Sequence, residues 1–484
     1  MNVVLFNPRA QKSHRRLPLS VLMVARVLDI PWTLVDANVE PDAETRLDAL
    51  CAVPGTVLFV TVMPGPQLRA ATPICRRLKT AHPELTVVWG GYFPSIHGPA
   101  CARDEGVDYV VEGQGERAAP ALLRALADGT DPVNVPGVGT WRDGAFVHSP
   151  PAPTHRAADF TDIPYERLDM ERYAARTFLG ARTFNHHSSV GCPYRCNFCA
   201  VVNVYDGRWI PDPADHVVRV VRRLATEFGA DAIEFHDNNF FAWEKRVAEV
   251  ARGITGCRVA WWGEGRIDTM LEFSGETWEA MARAGLKMVF FGAESGDPAA
   301  LDAMDKGGLK VEHTREINRV AARHGIVPEF SFVLGNPGNP TRDIAMSTAL
   351  IRDLKRDNPD CEIIVYLYTP VPLPGMYDAA RAGGFAFPDT LDGWLSPKWS
   401  GFDARRDPRT PWLDAGMVRG VHDFEAVLHA RWPSASDLNL SGWQRRVLRL
   451  LAAPRYRFGW YARPWELKVL QRAWGYRRPE EMGF

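Results

Sequence analysis

Short apolar runs alternate with longer amphipathic stretches along most of the chain, and their spacing predicts two successive series of strands and helices. In the first series, runs of strand length occupy 2–6, 33–36, 56–62, 85–90 and 107–111. Each is bounded by Gly, Pro, Asn or Asp, the residues that end strands. Between them, 18–29 and 67–81 repeat apolar residues every three or four positions, the period of a helix with one buried face. Strands alternating with helices predict a parallel sheet covered on both faces, a Rossmann-like doubly wound domain over 1–135. A hairpin, read in GTWRDGAFVHS at 139–149, and a Pro-rich linker fill 136–180.

The second series has strand candidates at 183–190, 231–236, 258–263, 287–292, 327–334 and 362–368, with helix candidates at 213–228, 243–253, 275–284, 311–324 and 341–356. Six strand–helix units over 181–385 predict a second α/β domain, either an open sheet or a partial (β/α)6 barrel of TIM type. In both architectures the loops after the strands carry the chemistry. Beyond 386 the strand pattern stops, and eight of the sixteen tryptophans lie there. The segment 386–484 reads as a helical extension.

Composition narrows the function classes. With 46% hydrophobic and 24% charged residues, the chain is an ordinary globular one, which excludes disorder and collagen-like repeats. The 57 Lys and Arg against 58 Asp and Glu leave a net charge of −1, so no overall field recruits nucleic acid. The balance is uneven: 441–484 carries ten basic and three acidic residues, a net of +7, and the rest carries −8. Basic and aromatic residues interleave there in RYRFGWYARPWELKVLQRAWGYRR. That fits a peripheral contact with an anionic membrane or lipid, or a helical lid with a solvated basic face. The segment matches no nucleic-acid-binding module. The first sixteen residues lack a signal-peptide pattern, and no stretch approaches the roughly 18 apolar residues of a membrane span. A cytoplasmic location is expected.

Three of the eight cysteines fall within SSVGCPYRCNFCAV, as Cys192, Cys196 and Cys199 in C-x3-C-x2-C spacing. Three thiolates on one tight loop can hold three irons of a cubane cluster, leaving the fourth iron open. A structural zinc is the alternative, with His186 or His187 as fourth ligand, and would make the chain a non-catalytic metal-binding interaction protein.

The spacing, with Phe198 before the last cysteine, resembles the signature of the radical S-adenosylmethionine (SAM) superfamily. The resemblance implies a [4Fe–4S] cluster whose open iron chelates SAM and whose reduction yields a 5′-deoxyadenosyl radical. Further blocks resemble one branch of that superfamily in chain order. FHDNNFF at 235–241 implies that Asp237 or Asn238 meets the SAM amino group, and WWGEGRID at 261–268 places the basic Arg266 near SAM. FFGAESGDPAALDAMDKG at 290–307 implies Glu294 and Ser295 as contacts to SAM polar groups. FSFVLGNPGNP at 330–340 implies backbone contacts to adenine around Val333–Gly335, with Asn339-Pro340 where the family has Glu-Thr.

The turns after the first-series strands are Asn7-Pro8, Met63-Pro64-Gly65-Pro66-Gln67, Gly90-Gly91-Tyr92-Phe93 and Gly113-Gln114-Gly115. VVWGGYFPS followed by VDYVVEGQGE resembles the cobalamin-binding (B12-binding) radical SAM enzyme family over roughly 1–385. The DxHxxG motif that supplies an axial histidine in many cobalamin proteins is missing, so cobalamin is expected base-off with a weak or absent lower ligand. The resemblance implies C-methylation of an unactivated carbon in a small or lipidic metabolite, with electrons from a flavodoxin- or ferredoxin-type donor under anaerobic conditions. Oxidative cyclisation, dehydration and ring rearrangement stay open as other outcomes of the same family. Candidate substrate contacts are His186, His187, Tyr205, Tyr366, Tyr368 and the Trp-rich tail.

Overall fold

The computed structural model describes residues 1–10, 15–402 and 404–478. The first sheet holds β1 (Asn2–Asn7), β2 (Trp32–Asp36), β3 (Thr56–Thr61), β4 (Thr86–Gly90), β5 (Tyr109–Val111), β6 (Val138–Arg142) and β7 (Ala145–His148), in the order β2-β1-β3-β4-β5-β6-β7. The first five strands are parallel, and β6–β7 is the expected hairpin, added antiparallel. Every residue of β3 is buried because both faces of the sheet are covered. Val57 and Phe59 join one core with Val3, Leu5 and Val88, while Leu58 and Val60 join the other with Val4, Phe6 and Trp89. The doubly wound order reverses between β1 and β3, which places a ligand crevice at their carboxyl ends.

The second sheet is β8 (Thr183–His186), β11 (Ala232–Phe235), β12 (Ala260–Gly265), β13 (Leu286–Glu294), β14 (Val327–Leu334) and β15 (Glu362–Leu367), all parallel and in sequential order. Successive right-handed crossovers in one direction put the connecting helices on one face. Of the two expected architectures, the sheet topology is that of an open six-stranded sheet, with β8 and β15 at its ends. Alternation sorts the side chains: Phe184, Ile233, Phe235, Trp261, Phe291, Phe330 and Ile363 pack in the large core under the helices. Asn185, Glu234, Trp262, Glu264, Glu329 and Glu362 occupy the intervening positions on the other face.

The expected single strand over 183–190 is broken. Ser188 donates its N–H to Asp237 (2.8 Å), so β8 ends and a three-residue β9 (Ser189–Gly191) pairs instead with β10 (Trp209–Pro211). This small ribbon brackets the cysteine loop.

The C-terminal extension divides in two. Phe385, Leu391, Trp394, Trp399 and Phe402 belong to the core of the first sheet, where the Trp394 ring lies 5.2 Å from Phe93 and 4.7 Å from His97. The helix Ala415–Arg431 packs on the second sheet's helical layer through Val421, Phe424 and Leu428, and Gly442–Phe458 and Trp465–Ala473 pack in turn against its Val427 and Ala430 through Leu448, Ala452 and Leu467. No helix among the described residues is long and apolar enough to cross a membrane. Because Trp394 is buried in a core 300 residues away in sequence, Trp394→Ala is expected to destabilise the first domain by about 3–5 kcal/mol. A lower urea midpoint checks this, and an unchanged midpoint would refute the packing.

Candidate active site between the two sheets

The cysteine loop starts at Gly191, whose φ of +74° lets the chain turn where a side chain would collide with the Arg208 carbonyl. Gly191 donates its N–H to Asn238 Oδ1 (3.0 Å). Asn239 Nδ2 lies 3.6 Å from Cys192 Sγ. Cys199 N donates to the Cys196 carbonyl (3.1 Å), folding the second and third cysteines into one turn. Asn197 fastens that turn to the loop after β13 by donating its N–H to Met304 O (3.2 Å) and its amide to Ala303 O (2.8 Å).

Arg266, just past β12, reaches the same loop. Its guanidinium lies 3.6 Å over the Tyr194 ring, donates to Cys196 Sγ (3.3 Å) and to Lys306 O (2.6 Å), and pairs with Asp268 (2.6 Å). Burial raises the Cys196 thiol pKa, opposed by Lys306 and Arg266. Cys199 is pushed up to about 11, first by burial and then by the neighbouring Cys196 and Cys192. Three crowded sulfurs beside two cations suit a cluster whose thiolate ligands carry net negative charge. Among the described residues no three His, Cys, Asp or Glu side chains, the three cysteines included, already converge on one point.

The other sequence-derived SAM contacts divide by what already holds them. Asp237 is fully buried and accepts from Ser188 N, Ser188 Oγ (2.6 Å) and Ser189 Oγ (2.6 Å), so it braces β9 from behind. Glu294 has φ +62°, an uncommon conformation for a non-glycine residue, at an irregularity in the β13–β14 pairing. Its carboxylate is paired with Lys306. Ser295 is also fully buried and donates to Asp343. That aspartate also accepts from Gly335 N (2.8 Å) and Asn336 N (3.1 Å), so one carboxylate shapes the turn after β14. The Val333 carbonyl accepts from Asn336 Nδ2 (2.7 Å), and the Gly335 carbonyl from Trp412 Nε1 (2.9 Å). Phe198, Met304, Val333, Tyr368 and Met376 form an apolar shelf beside the cysteine turn, with Lys306 Nζ 5.7 Å from the Phe198 ring.

A cavity of about 340 Å³ opens between the domains. One wall is the carboxyl edge of the first sheet: Thr61, Met63, Gly90, Gly91, Tyr92 and Gly113–Glu116. The other is the cysteine-loop region: His187, Ser189, Val190, Val201, Val204, Tyr205 and Asn238. Ser95 ties two of the glycine turns together, donating to Gly91 O (2.7 Å) and accepting from Gly113 N (2.9 Å). Gly91 and Gly113 have φ of +96° and +77°. A side chain at Gly91 would crowd Thr61 and Val62, so the backbone must stay bare there. The strand-end crevice, its bare glycine backbone and its largely apolar lining fit a large planar cofactor such as cobalamin.

Of the residues expected at cobalamin, Met63, Gly90, Gly91, Tyr92, Gly113 and Gly115 line this cavity, and Asn7, Gly65, Gln67 and Phe93 do not. Asn7 and Gln67 instead make a bracket under it. Gln67 Nε2 donates to Asn7 Oδ1 (2.9 Å), Asn7 Nδ2 donates to Asp36 (3.0 Å), and Met63 N donates to Gln67 Oε1 (3.0 Å). Gly65, φ +83°, starts the next helix, and Phe93 is buried in the core. Sequence reasoning missed Ser20, Thr61, Ser95, Asn239 and the wall supplied by the helix Leu19–Ala25. Small polar residues and an ordinary amphipathic helix carry no distinctive signal.

The substrate candidates also separate. His187 and Tyr205 line the cavity. Burial and His236 hold the His187 imidazole at about 3, neutral at physiological pH, and burial pushes Tyr205 up to about 12. His186 lies instead by a small void with Arg26, Asp162 and His216, its ring 6.2 Å from Phe235. Tyr366 lies beneath the Arg405 guanidinium (5.0 Å), and Tyr368 stacks on Trp412. On the open face of the second sheet, burial pushes the carboxyls of Glu264 and Glu329 up to about 8. Glu329 also accepts from Trp262 Nε1 (3.2 Å). Burial alone would raise Glu234 too, but Arg16 (2.9 Å) and His236 (3.1 Å) hold it ionised, at about 2.

Comparison with known proteins agrees with this geometry. A sequence model of the B12 binding domain matches residues 15–123, and one of the radical SAM superfamily matches 187–351, together more than half of the chain. An uncharacterized methyltransferase of Pyrococcus horikoshii is 26% identical over 319 residues, covering 64% of this chain and 66% of the relative. An anaerobic magnesium-protoporphyrin IX monomethyl ester cyclase of Synechocystis is 26% identical over 347 residues, covering 68% of this chain and 67% of the relative. The chain thus spans about two thirds of these relatives. Among solved structures, the radical SAM methyltransferase TsrM from Kitasatospora setae, with cobalamin and a [4Fe–4S] cluster bound, shares the fold over 98% of this chain and 99% of its own, at a TM-score of 0.66 and 17% identity. With both domain types present in one chain and joined at a common cavity, the protein belongs to the B12-binding radical SAM enzyme family.

Proposed function

We propose that the chain is a cobalamin-dependent radical SAM C-methyltransferase acting on an unactivated carbon of a small or lipidic metabolite. Electrons come from a flavodoxin- or ferredoxin-type donor, under anaerobic conditions. The observation that carries the reading is the single cavity bounded on one side by Gly90–Tyr92 and Gly113–Glu116 and on the other by the segment that follows the cysteines. When bound, the cluster with SAM would supply radical chemistry for hydrogen abstraction, and cobalamin would supply a transferable methyl group. Both the Pyrococcus relative and TsrM are named as methyltransferases, which favours methyl transfer over the cyclisation named for the Synechocystis relative.

The chain's own residues bind, orient and exclude water. Cys192, Cys196 and Cys199 would hold the cluster, and Arg266 would fix the loop and offset its charge. The shelf of Phe198, Val333 and Tyr368 would carry the adenine side of SAM, with Glu294 and Lys306 at its edge. Gly90, Gly91, Gly113 and Gly115 would let the corrin approach the strand ends, with Met63 on the same wall of the cavity. Glu264 and Glu329, whose carboxyls burial pushes up to about 8, stand on the same face of the second sheet as the ionised Glu234 and its partner Arg16. A step that abstracts a hydrogen atom requires no ionised acid or base, and water excluded from the site cannot quench the radical.

Methyl-labelled SAM, cobalamin and a low-potential reductant, incubated with the reconstituted protein and candidate metabolites, test this reading. The label is expected in the product, with 5′-deoxyadenosine released. A product that gains oxygen or loses hydrogen without the label would overturn methyl transfer in favour of oxidative chemistry. Cys196→Ala is expected to lose bound iron, visible absorbance and SAM cleavage together; retention of all three would refute the cluster assignment.

The interior carboxyls give a stability prediction. Glu329 has its pKa raised in the folded state from 4.5 to about 8, so the folded protein holds a proton there that the unfolded chain has released. Its contribution to stability is full at low pH and is lost as pH rises through about 8. Glu329→Gln, which stays neutral and keeps the acceptor for Trp262, is expected to reduce the loss of thermal midpoint between about pH 5 and about pH 9. An equal loss in both proteins would show that Glu329 ionises freely in the fold.

A further inference from the structure

Eight of the thirteen large hydrophobic side chains exposed among the described residues fall between Leu438 and Val469. Their arrangement is ordered. The helix Gly442–Phe458 buries Leu448 and Ala452 against Val427, Ala430 and Leu467, which accounts for one apolar stripe. A second stripe runs along its outer side, with Trp443, Val447, Leu450, Leu451, Pro454 and Phe458 recurring every three or four residues. Trp443, Leu450 and Phe458 are 59%, 74% and 58% exposed. Past the helix end, Trp460 stacks on Phe458 with centroids 5.1 Å apart. Trp465 and Val469, one turn apart on the next helix, are exposed as well. A helix apolar on two sides has one side more than its own fold uses.

The charge around this stripe selects the occupant. Ser441–Arg478 holds ten Lys and Arg and one acid, Glu466, which is already paired with Arg455 (2.5 Å). Arg446, Arg449 and Arg457 border the stripe and are exposed. A second copy of this chain docking face to face would set arginines against arginines, since a two-fold interface meets itself. A nucleic acid would satisfy the arginines but leave the aliphatic positions Val447, Leu450 and Leu451 without a partner. An anionic bilayer surface satisfies both: headgroups take the arginines, and the acyl boundary takes Leu450, Leu451 and Phe458. Tryptophans flanking the stripe match the preference of indole for that boundary.

We propose that the outer face of Gly442–Phe458, with Trp460 and Trp465, seats this protein on an anionic lipid bilayer. The contact is peripheral and is independent of the methyl-transfer reading, because it requires none of the cofactors.

Co-sedimentation of the full chain with phosphatidylcholine vesicles, with and without phosphatidylglycerol, tests it. Binding is expected to the anionic vesicles alone and to weaken with salt. Leu450→Glu/Trp465→Glu, two exposed positions whose change spares the packed side, should weaken it about tenfold or more at an unchanged thermal midpoint. Arg446→Glu/Arg449→Glu should do the same through charge, reading the electrostatic part separately. Absence of binding to anionic vesicles, or equal binding by Leu450→Glu/Trp465→Glu, would overturn the proposal. A concentration-dependent dimer that Leu450→Glu abolishes would assign the stripe to a second copy and overturn it equally. Displacement from vesicles by a short single-stranded oligonucleotide at low molar excess would assign the face to nucleic acid.

Discussion

The close approach of the cysteine loop to the carboxyl edge of the first sheet is the constraint on which the rest of the molecule depends. Parallel sheets present backbone groups and loops at the carboxyl ends of their strands, so each domain could hold a ligand at its own edge. Here the two edges face one cavity. The loop that closes it is fixed from three directions: Asn238 and Asn239 after β11, Arg266 after β12 and the Met304–Lys306 segment after β13. None of these contacts is strong alone. Together they leave the loop backbone little freedom.

The same constraint explains the C-terminal segment. Residues 385–402 return from the second sheet to complete the core of the first, with Trp394 and Phe402 against Phe93 and its neighbours. This crossing couples the two domains through apolar burial, independently of the polar contacts around the cavity. Trp412 then closes the turn after β14 through Gly335. The extension therefore has a structural part that holds the domains together, and an outer part whose exposed apolar face the fold leaves unpaired.

Much of this was legible in the sequence. Both strand series, the hairpin and most helices follow the apolar periodicity, and the C-x3-C-x2-C spacing marks the chemistry directly. The glycine turns pointed to the edge of the first sheet that lines the cavity. What escaped depends on contacts between distant residues. Phe93 follows a glycine pair that lines the cavity, yet it turns into the core, because the helix that begins at Tyr92 alternates its faces. Asp237 and Ser295 read as ligand contacts, and each is occupied by hydroxyls or a carboxylate from another segment. β9 and β10 are three residues long, below any periodicity that a sequence can display. Asn239 and Ser95, which position the loop and the glycine turns, are ordinary polar residues until their partners are seen.

The central claim is that one cavity, with a wall from each domain, houses cobalamin beside the cysteine loop. Val204 belongs to the wall supplied by the second domain and is remote in sequence from every cobalamin-like motif. Equilibrium titration of Val204→Trp with cobalamin, followed by visible absorbance, measures the claim most directly. The shared cavity predicts that the added bulk sharply weakens cobalamin binding while the iron content and thermal midpoint stay at wild-type levels. Wild-type cobalamin affinity in Val204→Trp would place the cofactor on the first domain alone and contradict the account.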